Sequence, residues 1–146
     1  EFMPIFACIQ SQEGGLGNFT IVLDDLSTPQ GAIGGTPIVA GAGQTGKTLN
    51  IDGCSLSVTD WLKAGDFFLI AGSTKVYQMT ANASTDGAGA TTLSFIPSLV
   101  VTPADNAALT VTAVPFTMSI DSSKNKFSMV PGINYGFGVS MLEVVQ

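Results

Sequence analysis

The sequence has no histidine and no arginine; its five cations are all lysines (Lys47, Lys63, Lys75, Lys124 and Lys126). Without imidazole, the usual general base near neutral pH is missing, and with it the commonest metal ligand. Without guanidinium there is no bidentate clamp for phosphate or carboxylate. Charge of either sign is scarce, at 11% of residues against roughly a quarter in an average domain. The balance is -6, which repels a phosphate backbone, so nucleic-acid binding has no electrostatic drive. Long apolar runs are lacking too: none approaches a membrane span, and nothing N-terminal reads as a signal peptide. Two cysteines, Cys8 and Cys54, make no disulfide framework at this length. Both sit in apolar stretches where a free thiol behaves as a small hydrophobe, and a bridge between them stays an open alternative.

These absences leave no catalytic residue, cofactor or metal to expect. What is present is 146 residues, enough for one domain or for a domain carrying a small inserted one, with 45% hydrophobic residues to build a core. Gly, Ser, Thr and Ala replace the missing charges. A surface of short neutral side chains suits close contact with other protein, because little side-chain entropy or desolvation opposes its burial.

Along the chain, Met3 to Gln12 is the one candidate helix, with Ile5, Cys8 and Ile9 on a common face and Gly14-Gly15 as a stop. The opening Glu1-Phe2-Met3 reads as a cloning remnant ahead of an internal Met, and a truncated N-terminus is the expectation. Asn18 to Leu23 alternates as a strand, closed by Asp24-Asp25. The glycine- and proline-dense stretch from Ser27 to Pro37 reads as a flexible boundary. Short β runs follow at Pro37 to Ala40, Thr48 to Asp52, Asp66 to Ile70, Lys75 to Ala81, Ala90 to Ile96 and Ala108 to Thr112. The turns among them carry residues that tolerate positive φ, the signature of a small antiparallel barrel or sandwich. Ser57 to Leu62 is expected to form a single helical turn capped by Ser57. Phe116 to Ile120 and Tyr135 to Val145 alternate as strands, separated by polar and Pro-Gly turns. In the second of these, Gly136, Gly138 and Ser140 make the start of one face small enough for a neighbour to approach closely.

One motif invites a different conclusion. Gly41 to Thr48 (GAGQTGKT) satisfies the phosphate-loop pattern G-x-x-x-x-G-K-[ST] residue for residue. The physics requires that such a loop feed directly into a helix, whose amides and dipole hold the phosphates. Here it feeds into Leu49-Asn50-Ile51-Asp52-Gly53, which alternates as a strand and then breaks. We therefore read the match as false: a turn followed by an edge strand. Asp24 and Asp25 with Asp52, Asp60 or Asp66 lack calcium-loop spacing and read as solvated turns. Asp86-Gly87-Ala88-Gly89 reads as a hairpin loop. The abundant Ser and Thr have no activating base, and the sequons at Asn18 and Asn82 carry no weight without secretion. Trp61 and Tyr77 are the candidate glycan contacts, although isolated aromatics in a β protein are more often core or interface.

Several stretches resemble tail proteins of long-tailed bacteriophages. They are Ile38 to Leu49 (IVAGAGQTGKTL), Leu62 to Phe67 (LKAGDF), Val76 to Ala81 (VYQMTA), Asp86 to Phe95 (DGAGATTLSF) and Pro103 to Ala108 (PADNAA). Their order resembles a small β-barrel module found in phage virion proteins. The flanks Phe19 to Leu23 and Tyr135 to Glu143 resemble strands of a distal-tail or tail-tube-like sandwich.

The resemblance implies a mainly β fold in which sandwich elements (19–36 and 113–146) are interrupted by a small antiparallel barrel (37–112), with 1–36 and 113–146 forming one discontinuous part. It implies a structural virion protein of tail-tip or distal-tail type, made in the bacterial host cytoplasm and acting by assembly with itself and with other tail proteins. Tyr135, Gly136, Phe137, Gly138 and Ser140 are then the candidate assembly face. The alternative is a carbohydrate- or host-surface-binding β module.

Overall fold

The structure is a computed structural model that describes residues 11, 17–121, 126–130, 134–138 and 140–145, with the backbone alone described for 126–130 and 134–138. It is mainly β, with eleven strands and one very short helix among the described residues. The helix expected from Met3 to Gln12 lies outside the described residues, apart from Ser11.

The larger compact unit comprises residues 22–116 and 145–146. It opens with α1 (Asp24–Ser27), whose first turn carries Asp24 and Asp25. Six strands follow: β2 (Gly35–Val39), β3 (Thr48–Cys54), β4 (Phe67–Ile70), β5 (Val76–Met79), β6 (Thr91–Ile96) and β7 (Leu109–Thr110). They form one antiparallel sheet in the order β2-β3-β6-β5-β4-β7. A single bridge, Ile38 to Ala108, brings the last strand back to the first, so the sheet is nearly closed into a barrel.

The barrel interior follows from strand alternation. Leu49 and Ile51 of β3, Phe68 and Ile70 of β4, Tyr77 and Met79 of β5, and Leu93 and Phe95 of β6 all point inward and are buried. Phe68, Tyr77 and Phe95 pack as an aromatic cluster with ring centroids 5.1–5.5 Å apart. Such rings add specific pair contacts to the apolar area they remove from water.

Two expectations fail locally, for the same reason. The stretch 27–37 is not a loose boundary. Ser27 is buried, Gly31 lies so close to the Trp61 and Leu62 backbone that a Cβ would overlap the Trp61 carbonyl oxygen, and Trp61 Nε1 donates to the Gly34 carbonyl at 2.9 Å. Its glycines permit close approach rather than flexibility. Nor does Ser57 cap a helical turn. Ser57 and Asp60 both take positive φ (54° and 52°), and the segment forms turns. Its amides are satisfied from the distant loop between β5 and β6: Val58 N–H donates to Thr85 Oγ1 at 2.8 Å and Asp60 N–H to Ser84 Oγ at 3.0 Å.

The other compact unit comprises residues 1–21 and 117–144. Its described strands are β1 (Asn18–Val22), β8 (Pro115–Ile120), β9 (Lys126–Val130), β10 (Asn134–Gly138) and β11 (Met141–Glu143), of which β1 and β8 run across the division into the larger unit. β1, β8 and β11 form a three-stranded sheet in that order, and β9 and β10 form a hairpin sheet from Asn134↔Val130 to Gly138↔Lys126. The run expected as one strand from Tyr135 to Val145 is thus divided between two sheets, β10 with β9 and β11 with β8.

Candidate functional site

The phosphate-loop match is the sharpest functional signal in the sequence, and its geometry is that of a β-hairpin connection. Thr48 begins β3, which is paired on both sides, by β2 and β6, and is not the expected edge strand; no helix N-terminus follows the loop. Gly41, Gly43 and Gly46 take positive φ (91°, 80° and 86°) to turn the chain back on itself. The loop is filled by its own glutamine. Gln44 Nε2 donates to the carbonyls of Ala40, Gly41 and Asn50 at 3.0–3.1 Å, while its Oε1 accepts from Asn50 N–H at 2.7 Å. The amide of Gly41 donates to Asp105 Oδ1 at 2.8 Å, which places a carboxylate against the loop's first glycine. The loop thus holds a glutamine amide and a carboxylate of the chain itself against its own backbone. Lys47 is exposed at its foot.

Asp105 joins two of the segments that carry the resemblance, the Gly41–Thr48 loop and the Pro-Ala-Asp turn. The other carboxylates do similar work. Asp66, in the Leu-x-Ala-Gly-Asp turn, is buried and accepts from three backbone amides: Gln30 at 2.9 Å, Gly31 at 3.2 Å and Lys63 at 2.8 Å. It fastens the segment leading into β2 to the turn before β4. Asp86 accepts from the Ala88 and Ala90 amides at 2.8 and 2.9 Å and closes its own hairpin loop. Hydrogen bonds from Ala90 first and Ala88 next hold its carboxyl below the ordinary value. The Asn82 side chain is engaged at both ends, by Asp60 and by the Ala64 amide. Among the described residues no group of three or more His, Cys, Asp or Glu side chains is placed to hold a metal.

Trp61 and Tyr77 are core residues, 0% and 1% exposed. Besides the Trp61 bond to Gly34, the Tyr77 hydroxyl accepts from Val100 N–H at 3.2 Å. Neither ring presents a face on which a sugar could stack. Cys54 is a buried free thiol, pushed up to about 11 by burial and then by the neighbouring Asp52 carboxylate, so it is not a thiolate at neutral pH. Cys8 lies outside the described residues.

The candidate assembly face falls on β10 and the residue that precedes β11. The backbone of Tyr135, Gly136, Phe137 and Gly138 pairs with Met129, Ser128, Phe127 and Lys126, and the Ser140 carbonyl accepts from Asp121 N–H at 2.9 Å. The side chains of residues 135–138 lie outside those described. On β11, Met141 and Leu142 are exposed. Among the described residues no helix is long and apolar enough to cross a membrane.

The side chains that organise these segments, Gln44, Asp66 and Asp105, hold backbone. The molecule these features define is a small antiparallel β-barrel, carried on a chain with a second set of β strands. It belongs to the phage tail family described as distal tail protein pb9, B domain, whose model matches residues 26–114. No curated protein matches the chain.

Proposed function

We propose that this chain is a structural subunit of a phage tail, of distal-tail or tip type, which works by protein–protein assembly in the virion and catalyses nothing. The observation that carries the proposal is the family match, which spans nearly the whole barrel unit. The composition supports it: 11% charged residues, without histidine or arginine, leave neutral surfaces that bury against protein with little desolvation.

In this proposal the barrel, residues 37–112, is an insertion in a discontinuous sandwich-like part built from both chain ends, 1–36 and 113–146. The strand bearing Tyr135, Gly136, Phe137 and Gly138, with Ser140 after it, supplies the contact face toward further copies and other tail proteins. The subunit is made in the host cytoplasm and ends in the virion. A host-surface glycan contact has less support, because Trp61 and Tyr77 are spent on the core.

Light scattering coupled to size exclusion tests the assembly mode. Concentration-dependent association is expected, weakened when Gly136 and Gly138 are both replaced by Val, because bulk there keeps a neighbour at a distance. A chain that stays monomeric at high concentration would count against self-assembly.

A further inference from the structure

The barrel's strand junctions are unequal. β3 and β6 are paired at four positions, β4 and β5 at three, and β5 with β6 and β4 with β7 at two each. β2 and β7 meet at one bridge, Ile38 to Ala108. The bonds near that bridge lie toward one end of the seam: Val39 N–H to the Ala107 carbonyl (2.9 Å), Asn106 N–H to the Val39 carbonyl (3.0 Å) and Gly41 N–H to Asp105 Oδ1 (2.8 Å).

Toward the other end lies a shallow, open cleft of about 410 Å³, lined by residues 35–38 on one side and residues 108–112 on the other. Pro37 has no amide to offer across the gap. Leu109 and Val111, at 7% and 8% exposure, are the least deeply buried members of the apolar core beside this cleft. Past the cleft the chain is tied again, by Ser27 Oγ donating to the Val114 carbonyl (3.0 Å) and Ala113 N–H donating to the Ser27 carbonyl (3.0 Å).

We infer that the β2–β7 seam is a built-in opening joint of the barrel, with Asp105 on Gly41 as its latch. Opening there exposes Leu109 and Val111 and frees two strand edges, while the β3-β6-β5-β4 sheet keeps its pairing. Local opening of this kind draws on the least bonded part of a fold. The inference does not depend on the proposed tail role.

Native-state hydrogen exchange of the full chain, read by NMR and corrected for intrinsic rates, tests it. The Val39 and Ala107 carbonyl-side seam is reported by the Val39 and Asn106 amides, and the closed sheet by the Met79, Thr80 and Phe95 amides, which donate to Asp66, Ser94 and Lys47. The seam amides are expected to exchange at least about tenfold faster than the sheet amides. Asp105→Ala should speed Val39 by about another tenfold and leave Met79, Thr80 and Phe95 within about twofold. Equal protection of the two sets in the unsubstituted protein overturns the joint, whether or not the variant folds. Equal acceleration of both sets, or of neither, by Asp105→Ala overturns the latch.

Discussion

The segment clamped around Asp66 and the hairpin loop at residues 41–48 are both rich in glycine, and both are fastened by side chains that bond backbone. In the first, Asp66 is buried, Trp61 is enclosed, and Gly31 has main chain directly against it. In the second, Gly41, Gly43 and Gly46 have nothing within 4 Å of where a Cβ would stand, and their need for glycine is one of positive φ alone. The contrast teaches that glycine density has two physical meanings. One kind allows elements to touch, and its loss disturbs the core. The other only lets a loop turn, and its loss strains one residue.

Substitutions should separate the two regions in order of size. Trp61→Ala removes the largest enclosed side chain and its bond to Gly34, and a loss of about 3–5 kcal/mol is expected in urea unfolding. Asp66→Ala orphans three backbone amides at a buried site, at about 1–3 kcal/mol each before relaxation, so it should approach the Trp61 effect. Gly31→Ala should cost about 1–3 kcal/mol through forced backbone displacement. Gly46→Ala, strained by φ 86° but unobstructed, should cost about 1–2 kcal/mol. Were Gly46→Ala to destabilise more than Gly31→Ala, the distinction would fail.

The smallest effects lie at the exposed carboxylate and lysine. Lys47→Ala should change stability by no more than about 0.5 kcal/mol, and calorimetry with ATP and magnesium should give no binding signal for either protein. Micromolar binding abolished by that substitution would reverse the reading of the loop. Asp86 is held below its ordinary value by backbone amides, so its contribution is present above its unfolded pKa and is lost as pH falls through the lower folded value. The gap in Tm between the protein and Asp86→Asn should therefore narrow on acidification below the ordinary carboxylate range. A gap that stays constant with pH would contradict this.

Strand positions were legible because alternation and turn chemistry are local: most of the runs expected between Asn18 and Ile120 overlap strands within a few residues. The strand after the phosphate-loop pattern was legible for the same reason, since the residues from Thr48 alternate and form β3. β9 escaped notice because Lys126–Val130 is a short run between two turns with weak alternation of its own. The misread turn at Ser57 and the misread stretch after Ser27 depend on partners 24 to 36 residues away, Thr85, Ser84, Trp61 and Asp66. No local pattern encodes such contacts. The same holds for Trp61 and Tyr77, whose burial is decided by the closing of the sheet.

Mass spectrometry and cryo-electron microscopy of purified tails from the phage that encodes this chain put the central claim to the most direct test. The account predicts the chain in the tail, in repeated copies near its distal end, with a barrel of residues 22–116 recognisable in each. Tails that contain no copy of it, in virions otherwise complete and infectious, would contradict the account.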